Sequence, residues 1–308
     1  MSGPKAPAWP SVAAQPAAPA SDGGALIRRL TGPAPGIRLP PGSVDSQMHA
    51  YLPGFPAVPG GPGLPPGDLP TPDQYRQVMR WLGLGRVVVT QGNAHQKDNA
   101  CLLACLADFG AIARGVGVID GSESDAELQR LAAGGITGAR IMDLPGGAVG
   151  LSGLPAVDAR TAEMGWMIAV QFDGSHLLDR LPLLESVTSR WVLDHHGKFF
   201  AGATPAHVDA VKRLIDRGNV WFKFAGVYES SRAGGPDYPD VAAVAREIAA
   251  HAPERIVWGT NWPHNMMRTT ADYPDDAALL DTVLGWLPDD RARQLALVDN
   301  PAALYFGG

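Results

Sequence analysis

Strand-like apolar runs recur along the chain from residue 43 onward, and helical sequence separates them. Most positions within a run are branched or aromatic, as in "RVVVTQG", instead of alternating strictly with polar residues. Runs of this kind are typical of parallel strands that are covered on both faces of the sheet. Eight such runs lie at residues 43–51, 86–92, 113–120, 137–143, 167–174, 190–197, 219–226 and 255–262.

The segments between these runs have the pattern of amphipathic helices. The clearest one, at 71–83, has a Thr before a Pro at the first helical position and a closing Gly, and these residue types cap helices at those places. Further helices are predicted at 124–135, 204–218 and 240–252. Eight strand and helix units within about 260 residues predict an α/β fold of the (β/α)8 TIM barrel type.

A doubly wound open sheet is the competing architecture. A phosphate-binding G-x-G-x-x-G would follow its first strand, whereas the first run here reads "SVDSQMHAY". We therefore favour the barrel for residues 43–308.

The start of the chain has a different composition. The first forty residues contain eight Pro and nine Ala, so they offer too little apolar surface to offset the entropy of ordering them. We predict that residues 1–42 form a Pro- and Ala-rich flexible tail, disordered or loosely docked, in which "ALIRRLTG" could dock as a short helix. The Gly- and Pro-rich stretch 52–70 is predicted to form a loop over the barrel mouth, with a plain surface excursion as the alternative.

Composition narrows the range of partners. The formal net charge of −6 argues against nucleic acid or an anionic membrane, because both require a clustered excess of Lys and Arg. No apolar run approaches the ~20 residues of a membrane helix, and the N-terminus lacks a signal-peptide layout. Cys101 and Cys105 lie four apart in a helical stretch, which predicts buried thiols in a reducing compartment. We expect a cytoplasmic protein with a small-molecule substrate.

Polar side chains accumulate where the predicted strands end, which is where TIM barrels carry their active sites. Side chains of a strand alternate between its two faces, so Gln47 and His49 should share the barrel interior, and of the adjacent pair at 195–196 we favour His195. Arg140 could pair with Asp143 or hold a substrate anion by its planar fork. The remaining candidates at strand ends are Gln91, Asn93, Gln171, Asp173, Asp194, Lys223, Tyr228, Asn261 and His264.

Lys223 lies inside the apolar run "WFKFAG". Lys is seldom buried without a partner, so this residue is either one half of a structural ion pair or a substrate contact. The sequence leaves both possibilities open.

A catalytic metal is one hypothesis for this group of residues. Metal-dependent barrel hydrolases commonly present His-x-His on the first strand, further His on strands five and six, and Asp on strand eight. Here the corresponding positions include Gln47, Gln171 and Asn261, and neutral amides are poor Zn²⁺ ligands. We predict no metal and no other cofactor, with a metal-dependent enzyme as the alternative.

Seven strand-end motifs, in order, carry a family resemblance. The chain resembles the amidohydrolase superfamily over residues 43–306, and within it the metal-independent branch that includes 2-pyrone-4,6-dicarboxylate lactonase. The resemblance implies a distorted TIM barrel, no metal, and a sugar-acid lactone as substrate. The motifs are "VDSQMHAYLPG", "VVVTQGNAHQKDN", "GARIMDLPGGAV", "VQFDG", "WVLDHHGKFF", "WFKFAGVYESSR" and "ERIVWGTNWPHN".

The lactonase pattern has His-x-His on strand one, a His on strand six, and an Asp in "GTDWPH" on strand eight. In that family the histidines polarise the lactone carbonyl, and the Asp deprotonates the attacking water. This chain keeps His49 and His195 but has Gln47 and Asn261 at the other two positions. We therefore predict isomerisation, in which a hydroxyl of the lactone itself attacks its carbonyl and gains the rate advantage of an intramolecular reaction.

The resemblance assigns catalytic roles to His49, His195 and Asn261. Arg140 is the candidate for the free carboxylate of the substrate, and further substrate contacts are expected from Gln47, Tyr51, Gln91, Gln171 and Arg232. Two alternatives stay open, namely a lactone hydrolase that uses His264 or Asp194 as its base, and a sugar-acid-binding barrel without catalysis. We expect Asn261→Asp to introduce some lactone hydrolysis.

Overall fold

The eight apolar runs form eight parallel strands that are hydrogen bonded in sequence order, as predicted. This arrangement is seen in a computed structural model that describes residues 26–307. The strands are β1 Val44–Met48, β2 Arg86–Thr90, β3 Ala113–Gly117, β4 Ile136–Asp143, β5 Met167–Phe172, β6 Arg190–Leu193, β7 Val220–Phe224 and β8 Ile256–Trp258.

The first and last strands meet beyond the end of β8, which makes the sheet a nearly closed barrel and excludes the open doubly wound alternative. The backbone N–H of Asn261 donates to the carbonyl of Gln47 at 2.8 Å, and the N–H of His49 donates to the carbonyl of Trp262 at 2.8 Å. A register shift interrupts β1 between Asp45 and Met48. The predicted distorted barrel is therefore confirmed, and the join between β1 and β8 brings residues 47 and 261 together.

Helices follow the strands, and the four predicted helices are all present. Thr71 caps the first one by accepting the N–H of Gln74, and Gly83 ends it in the left-handed region with φ of 85°. Within residues 26–307 none of the helices is both long and apolar enough to cross a membrane. The helices are α1 Pro72–Leu82, α2 Ala100–Phe109, α3 Asp125–Ala133, α4 Leu154–Met164, α5 Leu177–Glu185, α6 Pro205–Asp216, α7 Val227–Ser230, α8 Pro239–His251, α9 Asp276–Leu284, α10 Asp290–Gln294 and α11 Asn300–Tyr305.

The core has two parts, one on each side of the sheet. The larger part lies between the strands and the helices, and it includes the buried free thiols of Cys101 and Cys105. The smaller part fills the barrel interior below the polar strand ends, where Leu304 and Tyr305 of α11 pack against inward-facing residues such as Val44. The polar strand ends are therefore placed above an apolar floor.

The segment before β1 packs along the outside of the barrel. The indole N–H of Trp81 donates to the carbonyl of Pro33 at 2.7 Å, and the carboxylate of Asp281 accepts the N–H groups of Gly36 and Ile37, each at 2.7 Å. Residues 26–31 have no helical structure, so the possible short helix there is not formed. Residues 1–25 of the predicted flexible tail lie outside the described residues, and the boundary at residue 42 stays a prediction.

The loop at 52–70 lies against other loops at the barrel mouth. The N–H of Val58 donates to the carbonyl of Ala94 at 2.8 Å, and the carbonyl of Phe55 lies 3.1 Å from Nε2 of His95. Residues 94 and 95 follow β2, at the end of the barrel where the polar side chains gather. The long loop therefore packs at the rim of the mouth.

Candidate active site

His49 presents an unprotonated ring nitrogen beyond the end of β1. Its Nδ1 lies 2.9 Å from the carbonyl oxygen of Thr90, and since a carbonyl only accepts hydrogen bonds, Nδ1 carries the hydrogen. Burial and the positive charge of Arg140 lower the pKa of His49 to about 3. The ring is therefore neutral near pH 7, with a lone pair on Nε2.

Gln47 is oriented by donors on one side of its amide. Its Oε1 accepts from Nζ of Lys223 at 2.9 Å and from Oγ1 of Thr90 at 3.2 Å. The amide Nε2 therefore faces Nε2 of His49, at 3.5 Å. As strand alternation predicts, the side chains of residues 47 and 49 both point into the barrel interior. The amide N–H of Gln47 faces the lone pair on Nε2 of His49.

Lys223 is one half of a buried ion pair. Its ammonium group lies 3.1 Å from Oδ1 of Asp194, and both side chains are fully buried. Burial lowers the pKa of Lys223, and Asp194 acts against that shift. Burial also opposes ionisation of Asp194, but the charge of Lys223 and the neighbouring His195 outweigh it and hold the pKa of this carboxyl well below its usual range. Of the two possibilities for Lys223, the structural ion pair is the one observed.

Asn261 is held by hydrogen bonds at both ends of its amide. It follows β8 with φ of 61°, in the left-handed region that Asn tolerates better than most residues. Its Nδ2 donates to the hydroxyl of Tyr228 and to Oε1 of Glu229, each at 2.9 Å, and its Oδ1 lies 3.1 Å from Nε2 of His195. The neutral side chain is thus fixed in one orientation.

His195 turns into the interior and its neighbour His196 turns outward, as predicted, but both lie beyond the end of β6 with left-handed φ of 48° and 53°, so a tight turn and not strand alternation separates them. The backbone N–H of His195 donates to Oδ1 of Asp194 at 2.9 Å. The ring Nδ1 lies 3.0 Å from the same oxygen, but it is not aligned for a hydrogen bond. The ring of His196 packs among aromatic side chains of the outer layer, with its centroid 5.0 Å from that of Phe224.

Glu229 belongs to the site although the sequence did not indicate it. It lies on α7, one turn beyond the end of β7, and its Oε2 accepts from Nζ of Lys198 at 2.7 Å. Burial opposes ionisation, but Lys198 and His195 lower the pKa of Glu229 to about 2. Only its contacts identify it, because no strand-end position or spacing singled it out.

His264 has both ring nitrogens engaged on the far side of Asn261. Its Nε2 lies 3.1 Å from Oδ1 of Asp276, and its Nδ1 lies 2.7 Å from the hydroxyl of Tyr228. A carboxylate accepts, so Nε2 carries the hydrogen and Nδ1 accepts from the tyrosine hydroxyl. Burial raises the pKa of Tyr228 well above its usual value. His264 therefore supports Asn261 through Tyr228 and has no free nitrogen to offer a water molecule.

Arg140 is a buried cation without a carboxylate partner among the described residues. Its Nη1 donates to the carbonyl of Gln91 and to Oδ1 of Asn93, each at 2.9 Å, and its Nη2 donates to Oε1 of Gln171 at 3.0 Å. The possible pair with Asp143 is not formed, since that carboxylate accepts the N–H of Leu151. Burial lowers the pKa of Arg140, and an unpaired buried charge is costly.

The other predicted substrate contacts are more dispersed. Tyr51 is buried, its hydroxyl accepts from Nδ2 of Asn265 at 3.3 Å, and burial raises its pKa to about 12. The side chain of Gln91 donates to the carbonyls of residues 96 and 98, at 3.2 and 2.7 Å, so it orders the loop after β2. Arg232 donates to the carbonyl of Ala201 at 3.0 Å, between two loops of the rim.

The donor set at the strand ends does not suit a divalent metal. Across residues 26–307 no group of three or more His, Cys, Asp or Glu side chains is placed to hold one. Gln47 and Asn261 are neutral amides, and the ammonium group of Lys223 lies between Gln47 and Asp194. A lysine cation at that point would repel a second cation.

Eight parallel strands with histidines, amides and buried ion pairs at their C-terminal ends define a barrel of the amidohydrolase type. The family model described as Amidohydrolase matches residues 35–307, and the chain belongs to this family. It is 61% identical over 282 residues, or 91% of this chain and 96% of the relative, to a protein from Agrobacterium fabrum named D-galactarolactone isomerase. A relative from Comamonas testosteroni named 2-pyrone-4,6-dicarbaxylate hydrolase is 30% identical, over 88% of this chain and 92% of the relative.

A solved structure is also similar. An apo crystal structure of an Agrobacterium tumefaciens protein has a TM-score of 0.89 with this chain at 61% sequence identity, and the match covers 91% of this chain and 99% of that one. The fold is therefore shared along almost the whole of that protein.

Proposed function

We propose that the protein converts D-galactaro-1,5-lactone to D-galactaro-1,4-lactone by intramolecular acyl transfer, in the breakdown of sugar acids such as galacturonate. The observation that carries the proposal is the 61% identity, over 91% of the chain, to a protein named D-galactarolactone isomerase. The geometry of the strand ends supports the reaction and suggests how each residue takes part.

The reaction moves one acyl group and one proton. The hydroxyl oxygen on C4 bonds to the carbonyl carbon C1, and the resulting tetrahedral centre then breaks its bond to the oxygen on C5. The C4 hydroxyl loses its proton and the C5 oxygen gains one, so the formula is unchanged. One side chain that first accepts and then returns a proton is sufficient, and the neutral His49 has the lone pair on Nε2 that this requires.

Negative charge develops on the carbonyl oxygen when C1 becomes tetrahedral, and N–H donors stabilise it. We assign this role to the amide Nε2 of Gln47 and to the Nε2–H of His195, which Oδ1 of Asn261 accepts at 3.1 Å and would share with the carbonyl oxygen. Support comes from the fixed orientation of both groups, since Lys223 holds the amide of Gln47 and Asp194 holds the backbone of His195. Donors that are held in place before the reaction pay no cost of reorganisation during it.

The carboxylates of the site are already paired with cations or donors, which favours isomerisation over hydrolysis. Asp194 pairs with Lys223, and Glu229 pairs with Lys198. Neither is free to deprotonate water, and His264 is engaged at both nitrogens. The hydroxyl of the substrate needs less help than water, because a well-oriented internal nucleophile has an effective concentration of about 10⁵ M or more.

Arg140 is proposed to bind the free carboxylate of the lactone. The substrate carries one carboxylate outside its ring, and Arg140 brings one buried positive charge that no described carboxylate neutralises. Nη1 and Nη2 already donate to neighbouring groups, but the buried Nε has no hydrogen-bond partner, so a carboxylate can accept from that N–H in the plane of the guanidinium group. No metal is assigned to the reaction, and a cytoplasmic location stays a prediction.

The test is to follow the 1,5-lactone by NMR in the presence of the purified protein. We expect the 1,4-lactone to form first, at a rate above the spontaneous one. Open-chain galactarate without an intermediate 1,4-lactone would instead identify a hydrolase, and no rate above background would identify a binding protein. Near-stoichiometric zinc or manganese, with activity lost on chelation, would overturn the metal-free assignment.

A further inference from the structure

Glu229 is a largely buried carboxylate with two different partners. Its Oε1 accepts from Nδ2 of Asn261 at 2.9 Å, and its Oε2 accepts from Nζ of Lys198 at 2.7 Å. The side chain of Glu229 is 16% exposed and that of Lys198 is 5% exposed. The proposed reaction assigns this carboxylate no step of its own, although it touches Asn261.

The chemistry of these contacts allows only one orientation of the Asn261 amide. An ionised carboxylate accepts hydrogen bonds and cannot donate them, so the NH₂ end of the amide must face Glu229. The oxygen end then faces Nε2 of His195, at 3.1 Å. Because that oxygen only accepts, Nε2 of His195 has to carry a hydrogen.

We propose that Glu229 is a positioning residue, which orients the amide of Asn261 and thereby keeps a hydrogen on Nε2 of His195. The effect on turnover rests on the proposed isomerase function, in which His195 donates to the carbonyl oxygen. The effect on the hydrogen of His195 does not rest on it, because the three contacts exist without substrate. An experiment can therefore contradict the effect on turnover without contradicting the effect on the hydrogen of His195.

Lys198 needs an acceptor from residue 229. The orientation of the Asn261 amide therefore depends on whether the other side-chain atom of residue 229, which faces Asn261, is an oxygen or a nitrogen. In the variant Glu229→Gln, the ammonium group of Lys198 requires an acceptor, so the new side chain must turn its oxygen toward Lys198 and its NH₂ toward Asn261. The amide of Asn261 then rotates to offer its oxygen to residue 229, and its NH₂ faces His195. The hydroxyl of Tyr228, which accepts from Nδ2 of Asn261 at 2.9 Å in the unaltered protein, turns its hydrogen from His264 to that oxygen. The ring must accept at Nε2, and its hydrogen moves to Nδ1, which lies 3.0 Å from Asp194.

The first measurement is the ¹⁵N NMR spectrum of histidine-labelled protein without substrate, with the His195 signals assigned by loss in a His195→Gln variant. We expect a protonated Nε2 in the unaltered protein and an unprotonated Nε2 in Glu229→Gln. For the reaction we expect kcat of Glu229→Gln to fall by about a hundredfold, the lower range for loss of one hydrogen-bond donor to a developing oxyanion, with a smaller change in KM.

A second variant separates positioning from simple loss of a charge. In the double variant Glu229→Gln with Lys198→Met, the demand for an acceptor at Lys198 is gone. The new amide can then turn its oxygen to Asn261, which should restore the hydrogen on Nε2 of His195 and part of kcat. Glu247→Gln is the matched control, because Glu247 forms a Lys–Glu pair with Lys212 at 3.0 Å but is 59% exposed.

The outcomes are distinct. An unprotonated Nε2 in the unaltered protein would overturn the proposal even if every variant failed to fold, and so would a Glu229→Gln spectrum with Nε2 still protonated. Failure of the double variant to recover the His195 signal would also overturn it. If the spectra behave as expected but the unaltered protein does not isomerise the 1,5-lactone, the positioning role stands and the proposed function falls.

Discussion

The side-chain nitrogen of Asn261 lies 2.9 Å from a carboxylate oxygen of Glu229. The residue at the position of the strand-eight aspartate is therefore a hydrogen-bond donor to a largely buried anion as well as a neutral group. This contact changes what a carboxylate at position 261 would do.

Asn261→Asp is expected to lose isomerase activity by about tenfold or more without gaining hydrolysis. Two carboxylates about 3 Å apart cannot both ionise readily, so the pKa of one of them would rise and neither would be a free base. Sequence alone predicted some hydrolysis for this variant. Because of the contact with Glu229, we expect hydrolysis instead from the double variant Asn261→Asp with Glu229→Gln, which leaves a single carboxylate.

Galactarate release, measured by NMR from the 1,5-lactone, distinguishes the two variants. Equal release by the single and the double variant would show that Glu229 does not restrain a carboxylate at position 261. No release by either would show that a base at this position is not enough for hydrolysis.

Arg140→Met is expected to raise KM for the lactone about ten- to a hundredfold, with a smaller effect on kcat. A hydrogen bond to a charged group contributes about 1.5–3 kcal/mol, and each 1.4 kcal/mol corresponds to about a tenfold change in affinity. The steady-state rates of the variant and the unaltered protein give both constants. Thermal melting checks that the loss of hydrogen bonds to Asn93 and Gln171 has not unfolded the variant.

A lactone whose carboxylate is replaced by a CH₂OH group provides the matched substrate for this test. Its KM should be nearly the same with and without the arginine. A similar increase in KM for both substrates would contradict the assignment of Arg140 to the carboxylate.

Gly226→Ala is expected to reduce kcat by about a hundredfold, because displacement of catalytic groups by about 1 Å has effects of this size. A Cβ atom at Gly226 would lie 2.7 Å from Cδ2 of His195 and 2.9 Å from Nδ2 of Asn261, so both side chains would have to move. Gly234→Ala is the matched control. Gly234 also has positive φ, 76° against 56° for Gly226, but its Cβ would meet nothing within 4 Å.

In each of these two variants an L-residue occupies the left-handed region, which destabilises the folded state by roughly 1–2 kcal/mol. Chemical denaturation measures that shared cost, and the rates measure the difference. Equal loss of activity in both would mean that backbone strain, and not contact with the site, is responsible.

The pH dependence of kcat tests the role of His49. Its pKa is lowered to about 3, so the neutral form persists above that pH and is lost as the pH falls through about 3. With saturating lactone, kcat should therefore stay level from pH 7 down to about pH 4 instead of falling near 6.5, where an unperturbed His titrates. An acidic limb centred near 6.5 would argue against His49 as the group that accepts the proton.

Features set by periodicity could be predicted from the sequence, and features set by single side-chain contacts could not. Alternation placed the side chains of Gln47 and His49 on one face, and the eight apolar runs determined which end of the barrel would carry them. Glu229 gave no such signal, because it lies on a short helix and reaches the site only through Asn261 and Lys198.

Gln91 shows the limit of predicting contacts from strand ends alone. Oγ1 of Thr90 faces the interior, where it donates to Gln47, so the next residue turns outward and bonds to the loop after β2. Counting faces along β2 would have indicated this. The packing of residues 26–42 could not be predicted from composition. It depends on hydrogen bonds to the backbone at Pro33 and Gly36, and a high content of Pro and Ala gives no sign of such bonds.

Leu304 and Tyr305 pack inside the barrel against Val44, below the polar strand ends. In the part of the chain that the structure describes, these two residues block the lower end of the barrel. The mouth is then the route for exchange with solvent. An isomerase needs no second reactant and discards no fragment, so one route serves arrival and departure alike. Substrate and product would then compete for the same opening, and accumulated 1,4-lactone should slow the forward reaction as a competitive inhibitor.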